Sequence, residues 1–221
     1  MTAVSPPTPT SSAQLRDLVQ EILAADSLPP IVQAGHPVLR QHAAAFEGQI
    51  TVGELAQLTD LMRRVMHEAP GVGLAAPQIG IPLQLAVLED QYDVDPESAA
   101  VRHRTPLEFM AILNPRYTPV GDGTAAFFEG CLSLRGLQAV VVRHQQVSLQ
   151  FEAPDGRARV EEFEGWQARI VQHETDHLHG TLYVDRAELR SLSSNAEYAA
   201  NWAEPGIDRA RAALGFLSGN P

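Results

Sequence analysis

Residues 172–180 have the sequence QHETDHLHG, in which two histidines are separated by four positions and a glutamate follows the first. On an α-helix, residues four apart lie on one face, so His173 and His177 can direct both imidazoles at one metal ion. Glu174 is rotated by about 100° from His173 and can reach water held at the metal, which makes it the expected general base and acid. This is the HExxH pattern of metal-dependent hydrolases, and it supplies only two protein ligands.

Three positions compete to be the third ligand. Gly180 fits an extended metzincin pattern, but Tyr183 stands where that pattern needs a third histidine, so this hypothesis fails. Glu197 lies at a distance downstream that is typical of thermolysin-like proteases. Cys131, in FFEGCLSLRG, would provide a thiolate, a strong ligand for zinc or Fe(II). The residues alone leave Glu197 and Cys131 open.

The segment GVGLAAPQ at 71–78 offers a different chemistry, because it matches the G-x-G-x-x-G/A pattern of dinucleotide-binding proteins, with Glu89 at a suitable distance downstream. That pattern requires a strand directly before the glycines. The residues before Gly71 have helical periodicity instead. The sequence therefore disfavours NAD binding.

Helical periodicity predicts the elements that carry these motifs. Residues 165–179 have the spacing of a helix with one buried side, and Gly180 is placed to end it. A second amphipathic helix is predicted from Val52 to His67, and an N-terminal helix starts with a capping box formed by Ser11 and Gln14. Pro29 and Pro30 are expected to close the N-terminal helix.

Between the helices the pattern changes to that of short strands. Strands are predicted at 83–88, 109–113, 139–142 and 147–151, the last followed by a hairpin turn that leads to Val160. The polar segment 91–106 is interpreted as an exposed loop. Strands in the middle and helices at both ends indicate an α+β fold.

Composition limits the remaining function classes. The 221 residues carry a formal net charge of -11, which argues against a broad nucleic-acid-binding surface. A single cysteine excludes an internal disulfide. Residues 1–12, rich in Pro, Ser and Thr, are expected to form a mobile tail before a single catalytic domain at 13–221. Neither a signal peptide nor a membrane-spanning run is recognisable, so a cytoplasmic location is expected.

Three motifs together resemble the peptide deformylase family: GVGLAAPQ at 71–78, EGCLS at 129–133 and QHETDHLHG at 172–180. Their order and spacing also match, and the resemblance extends over about 31–185, so the chain resembles a bacterial-type member with N-terminal and C-terminal extensions. The implied fold has antiparallel β-sheets packed around a central HExxH-bearing helix, with an additional N-terminal helix and a C-terminal helical segment.

The resemblance implies a ligand set and a reaction. Cys131, His173 and His177 would hold one divalent metal ion, usually Fe(II), with Zn, Ni or Co able to occupy the same place. The reaction would be removal of the formyl group from N-formylmethionyl nascent peptides. Glu174 would transfer the proton, and the side-chain amide of Gln78 with the backbone N–H of Leu132 would meet the oxyanion.

Alignment by motif also implies a substrate site. Gly73 and its small neighbours would let an extended peptide approach the backbone. The residues expected around the methionine side chain are Val72, Phe127, Trp166 and Ile170. The residues expected to orient the ligands and the glutamate from behind are Glu129, Arg143 and Asp176.

Two parts of the chain depart from the family's pattern. Leu134 stands where EGCLS is often followed by proline. Some members carry an arginine a few residues later that helps to hold the peptide, and because residues 134–138 read LRGLQ here, that peptide contact is not carried over. Some members dock on the ribosome through their C-terminus, whereas Arg209 and Arg211 are the main basic residues of this one. A transient ribosome contact is left open, and neither stable nucleic-acid binding nor a membrane partner is expected.

Overall fold

The computed structural model describes residues 11–217, which form six α-helices, eight β-strands and several short 3-10 turns. The helices are α1 (Ser12–Ala24), α2 (Val52–Glu68), α3 (Pro96–Arg102), α4 (Gly165–Leu178), α5 (Asn195–Glu197) and α6 (Asp208–Leu214). The strands are β1 (Gly73–Ala75), β2 (Leu85–Asp90), β3 (Leu107–Pro119), β4 (Thr124–Cys131), β5 (Leu134–His144), β6 (Gln146–Glu152), β7 (Ala158–Glu164) and β8 (Ser193–Ser194). Helix α5 continues into the π-helix Tyr198–Trp202.

The strands form two antiparallel sheets. One has the order β1-β2-β3-β6-β7, and the other has the order β4-β5-β8. Helix α4 contacts strands of both sheets. The α+β class with antiparallel sheets is thereby confirmed.

The continuous apolar run of β2 is explained by burial on both faces of the larger sheet. Leu85 and Val87 pack with α1 and α2 in one core cluster, whereas Ala86 and Leu88 pack with α4 in a second. Side chains alternate between the faces of a strand, so each face needs its own apolar set. The first cluster holds α1 and α2 against one face of the sheet, and the second holds α4 against the other.

A third cluster covers the smaller sheet. Phe128 and Val140 project from β4 and β5 and pack against the C-terminal part of the chain, including Tyr198, Ile207 and Phe216. The chain after residue 192 is therefore folded against the strand that ends in Cys131.

The helix ends follow their local sequence signals only in part. The capping box of Ser11 and Gln14 at the start of α1 is confirmed. At the end of α4, Gly180 has a φ of 73° and donates its N–H to the carbonyl of His177 over 3.1 Å, as expected of a glycine just after a helix. Helix α1, however, ends at Ala24, before the two prolines predicted to close it.

The segment 91–106 was predicted to be a loop, and this is wrong in part, because it contains α3. Asp95 caps α3 and accepts the backbone N–H of Ser98 over 2.9 Å, and Pro96 occupies the first turn. None of the residues of α3 is buried, so the hydrophobic periodicity that reveals a longer helix is lacking.

The glycine segment does not have the dinucleotide-binding arrangement. Helix α2 precedes it, and the glycines lead into β1 and then a 3-10 turn at Ala76–Ile79. A strand that enters a phosphate-binding turn is therefore lacking at this place, and the NAD alternative is wrong.

The tail predicted for residues 1–12 lies outside the described residues except for Ser11 and Ser12, which cap and begin α1. Over residues 11–217, every helix is too short or too polar to span a bilayer.

Candidate active site

The fold brings Cys131, His173 and His177 together. The two histidines lie one turn apart on α4, and Cys131 ends β4 where its register against β5 shifts. One possible ligand atom from each of the three side chains lies within 4.8 Å of the others, and Cys131 Sγ is 3.2 Å from His177 Nε2. A single metal ion can therefore be held by all three.

The donor set suits a divalent transition metal. One thiolate and two imidazoles are ligands for zinc or iron, and three protein ligands leave a position for water or substrate. Among residues 11–217 this is the single cluster of three metal-binding side chains. Glu197 is exposed on α5, where it accepts a hydrogen bond from Asn201 over 2.9 Å, so its alternative role as third ligand is wrong.

The two histidines have different electrostatic environments. Burial lowers the pKa of His177 well below its ordinary value, which keeps the imidazole neutral, as a metal ligand must be. Burial acts in the same direction on His173, but hydrogen bonds with Cys131 and Glu129 outweigh it and raise its pKa.

Glu129 orients His173 from behind. Its Oε2 lies 2.9 Å from Nδ1 of His173, which leaves Nε2 of that ring for the metal. Arg143 binds the same carboxylate with two hydrogen bonds of 2.8 and 3.0 Å, and Arg169 adds a third of 2.6 Å. Burial alone would raise the pKa of Glu129, but Arg143 and His173 hold it well below its usual range. Glu129 is therefore a carboxylate.

Asp176 acts on the metal-binding histidines indirectly, through Arg143. It accepts a hydrogen bond of 2.6 Å from Arg143 and others of 3.0 and 3.2 Å from Arg186 and Tyr117. Arg143 is therefore held between two buried carboxylates, which fixes the guanidinium that in turn fixes Glu129.

Glu174 is buried on the side of α4 that faces β1. A Cβ atom added to Gly73 would lie 2.3 Å from Oε1 of Glu174. Residue 73 must therefore lack a side chain for Glu174 to occupy its position. Oε2 of Glu174 has no hydrogen-bond partner among the described residues. Burial raises the pKa of Glu174 to about 7. A carboxyl group with such a pKa can accept and donate a proton near neutral pH.

Gln78 presents its amide nitrogen to the ligand cluster. Its Oε1 accepts the backbone N–H of Ala75 over 2.8 Å, which turns Nε2 towards Sγ of Cys131 at 3.6 Å and Oγ of Ser133 at 3.4 Å. Leu132 follows Cys131 directly and lines the same cavity as Cys131. The two residues predicted to supply the oxyanion donors, Gln78 and Leu132, therefore both lie near the cluster.

A cavity of about 360 Å³ opens onto the cluster. Four of the five predicted substrate-binding residues line it, namely Val72, Gly73, Trp166 and Ile170. Phe127 does not line it, and this part of the prediction is wrong. Phe127 packs edge-to-face on Trp166 at 6.2 Å between ring centroids and lines a neighbouring cavity, while Phe128 borders the main cavity.

Sequence reasoning missed three further residues of the site. Arg169 is buried on α4, where an arginine among apolar neighbours signals a buried ion pair. Gln33 donates to the carbonyl of Leu132 over 3.1 Å from 99 positions away. Tyr198 lines the cavity from the C-terminal part of the chain. The contacts of Gln33 and Tyr198 have no local signature.

The fold and the site together define a class of protein. A cysteine and two histidines that converge on one point, with a buried glutamate and an amide donor beside them at the wall of a cavity, are the parts of a metal-dependent hydrolase.

Comparisons with known proteins identify the family. The family model "Polypeptide deformylase" matches residues 28–192. "Peptide deformylase 3" of Streptomyces avermitilis is 55% identical over 211 residues, which cover 96% of this chain and 94% of that protein. "Peptide deformylase 1" of Streptomyces coelicolor is 53% identical over 95% of this chain and 96% of its own length. The chain belongs to the peptide deformylase family.

A solved structure shows the same fold at lower identity. The Met-Ala-Ser-bound class I type b peptide deformylase from Acinetobacter baumannii has a TM-score of 0.65 and 29% identity, and the match covers 73% of this chain and 99% of that one. Residues after 192 lie beyond the family model.

Proposed function

We propose that this protein hydrolyses the formyl group from formyl-methionine at the N-terminus of newly synthesised proteins and releases formate. The observation that carries the proposal is the convergence of Cys131, His173 and His177 beside the buried Glu174, at the wall of a cavity of about 360 Å³. The family to which the chain belongs supports the same reaction.

We propose Fe(II) as the metal that Cys131, His173 and His177 hold, and Zn, Ni and Co also suit this donor set. When bound, such an ion lowers the pKa of bound water from about 16 to near 7 and polarises the carbonyl of the substrate. The thiolate supports the choice of iron or zinc over a hard cation, because soft sulfur ligands disfavour Mg²⁺ and Ca²⁺.

Glu174 moves the proton in this proposal. Its Oε2 makes no hydrogen bond to the described residues and is available to accept a proton from the attacking water. The water oxygen forms a bond to the formyl carbon, the bond from that carbon to nitrogen breaks, and Glu174 returns the proton to the departing amine. Gly73 contributes by leaving room for the glutamate at this position.

Gln78 and Leu132 stabilise the oxyanion that develops on the formyl oxygen. The hydrogen bond from Ala75 to Oε1 of Gln78 fixes which end of the amide faces the site, so Nε2 is available as a donor. A neutral amide brings donors without bringing a charge. The backbone N–H of Leu132 is the second donor.

The methionine side chain binds in the apolar part of the cavity. Val72, Trp166 and Ile170 line that part, and Phe127 supports it by holding the ring of Trp166. Selection for one apolar side chain requires such a lining. The small residues around Gly73 let the peptide backbone approach β1 closely, which suits an enzyme that accepts many N-termini.

The wider setting follows from the same function. We propose a single catalytic domain over 13–221, centred on the HExxH-bearing helix α4. We propose that the protein acts in the cytoplasm on nascent peptides. The negative net charge of -11 supports the proposal that it binds nucleic acid in no stable way.

The decisive experiment is formate release from formyl-Met-Ala-Ser by the Fe(II)-loaded protein. Glu174→Ala should retain the metal but lose activity by roughly 10²-fold or more, because general acid and base catalysis is removed. Glu197→Ala, a matched change of an exposed glutamate, should behave as the wild type. Absence of formate from a folded, metal-loaded wild type would refute the proposal.

The choice of iron has its own test. A thiolate beside a redox-active metal is prone to oxidation, so the Fe(II) form should lose activity in air faster than a Ni(II) form of the same protein. Equal lifetimes of the two forms would argue against iron or against its ligation by Cys131.

A further inference from the structure

The C-terminal part of the chain forms one wall of the active-site cavity. Residues 193–202, called the C-terminal wall here, comprise β8, α5 and the π-helix that follows. Asn195 and Tyr198 of this wall line the same cavity as Cys131 and Glu174. The wall lies beyond residue 192, where the family model stops.

The wall is fixed to the strands that carry the site. Strand β8 pairs with β5, and Gln138 of β5 donates to the side-chain oxygen of Asn195 over 3.3 Å. The ring of Tyr198 packs edge-to-face on Phe128 at 5.0 Å between centroids. Phe128 therefore holds the tyrosine ring in place at the cavity wall.

Arg102 forms hydrogen bonds with the backbone of the segment that follows the C-terminal wall. From the end of α3, its Nη2 and Nε donate to the carbonyls of Glu204 and Pro205 over 3.1 and 3.0 Å. Its guanidinium carbon also lies 5.3 Å from the ring centroid of Trp166, which lines the proposed methionine pocket. One arginine therefore joins α3, the C-terminal part of the chain and that pocket.

A second cavity, of about 220 Å³, lies between α3 and the C-terminal part of the chain. Arg102 and Tyr198 line both this cavity and the main one. The two cavities are therefore neighbours, with the tyrosine and the arginine at their boundary.

We propose that the C-terminal wall binds the one or two residues that follow formyl-methionine in the substrate, with the ring of Tyr198 against a side chain and Asn195 hydrogen-bonded to the peptide. The proposal rests on the proposed function. A nascent peptide continues beyond its methionine, and an extended chain advances by about 3.3 Å per residue, so the next one or two residues are within reach of the surface that borders the methionine pocket. The Tyr198 side of the main cavity is bordered by such a surface and by the second cavity.

The test compares kcat/KM for formyl-Met-Ala-Ser with kcat/KM for formyl-methionine amide, which lacks the following residues. The ratio of the two values cancels changes in metal loading and in chemistry at the formyl group. Tyr198→Ala should lower this ratio by roughly fivefold, the size expected for loss of one aromatic contact. Tyr198→Phe, which keeps the ring, should restore most of the ratio.

Trp202→Ala is the matched control. Trp202 packs in the same apolar cluster as Tyr198 but lines neither cavity, so its removal should leave the ratio near that of the wild type. If Tyr198→Ala does not fold, Asn195→Ala takes its place with an expected loss of roughly twofold to threefold, because the residue is exposed and contributes one hydrogen bond.

An unchanged ratio in the folded Tyr198→Ala variant, or in Asn195→Ala where that replaces it, would overturn the proposal. An equal fall in Trp202→Ala would also overturn it, since the effect would then be a general disturbance of the C-terminal part of the chain. If the wild type cleaves neither substrate, the proposed function itself is refuted. If the wild type cleaves both substrates and the variants have the same ratio of kcat/KM values as the wild type, only the role of the C-terminal wall is refuted.

Discussion

Replacing Gly73 with alanine tests whether the position of Glu174 controls the reaction. An added Cβ would lie 2.3 Å from Oε1, 2.5 Å from Cδ and 2.6 Å from Cγ of Glu174. Gly73 does not have a positive φ, so alanine is compatible with its backbone conformation. The collision with Glu174 is therefore the main consequence of the substitution.

The size of the effect follows from these distances. Ordinary contact begins at 3.4 Å, so Oε1 must retreat by about 1.1 Å (3.4 − 2.3). Rotation of the carboxylate alone is insufficient, because Cγ and Cδ are also too close. A displacement of about 1 Å at a reacting group costs roughly 10²-fold in rate. We expect kcat to fall by about that factor, with an overpacking cost of about 1–3 kcal/mol in stability.

The assay is steady-state formate release together with metal content. The metal should remain bound, because the substitution leaves Cys131 and the two histidines unchanged. Gly53→Ala is the matched control, since its Cβ would meet no atom within 4 Å and should leave kcat unaltered. Gly71→Ala should fall between the two, because its Cβ would approach the flexible end of Leu132 at 2.9 Å.

The reasoning would be refuted if folded, metal-loaded Gly73→Ala had the same kcat as Gly53→Ala. Loss of the metal from Gly73→Ala would refute it differently, by showing that the glycine supports the ligands and not the glutamate.

Four other substitutions test separate parts of the structure. Cys131→Ala should abolish stoichiometric metal binding, whereas Glu197→Ala should retain it, and metal analysis after dialysis would contradict the ligand set if the results were reversed. Gln33→Ala should lower kcat by a few-fold with little change in KM, because Gln33 holds the carbonyl of Leu132; an unchanged kcat would show that this brace is dispensable. Hydrogen bonds from Arg63 lower the pKa of Glu89, so its carboxylate contributes stability above its unfolded pKa of about 4.3 and loses it as the pH falls through the lower folded value. Glu89→Gln should therefore lower the free energy of unfolding, measured with urea, by about 1 kcal/mol at pH 7 and by less at pH 3. An equal loss at both pH values would show that the ionised carboxylate of Glu89 does not contribute this stability.

Much of the site was readable in the sequence where it depends on neighbours along the chain. The spacing of His173 and His177 predicted a helix with both rings on one face, and α4 has that spacing. Gly180 predicted the end of the helix, because a glycine just after a helix readily adopts the positive φ that ends it. Helical geometry relates residues three or four positions apart, so a periodic pattern carries this information by itself.

Contacts between distant residues were less accessible. From the residues alone, Cys131 and Glu197 were competing candidates for the third ligand, and only the family resemblance favoured the cysteine. The structure places Sγ of Cys131, at the end of β4, 3.2 Å from Nε2 of His177 on α4. The requirement for glycine at position 73 was attributed to the substrate, whereas its close neighbour in the fold is Glu174.

The sequence by itself determined the helix, its two histidines and its glutamate, because these follow from local periodicity. Only the tertiary structure decided which residues stand around them. Phe127 does not line the predicted pocket and instead packs on the ring of Trp166. Tyr198 lines the cavity because the C-terminal part of the chain covers β4 and β5. Such positions depend on how two sheets and a terminal segment pack together, and the spacing of residues along one element contains no record of that packing.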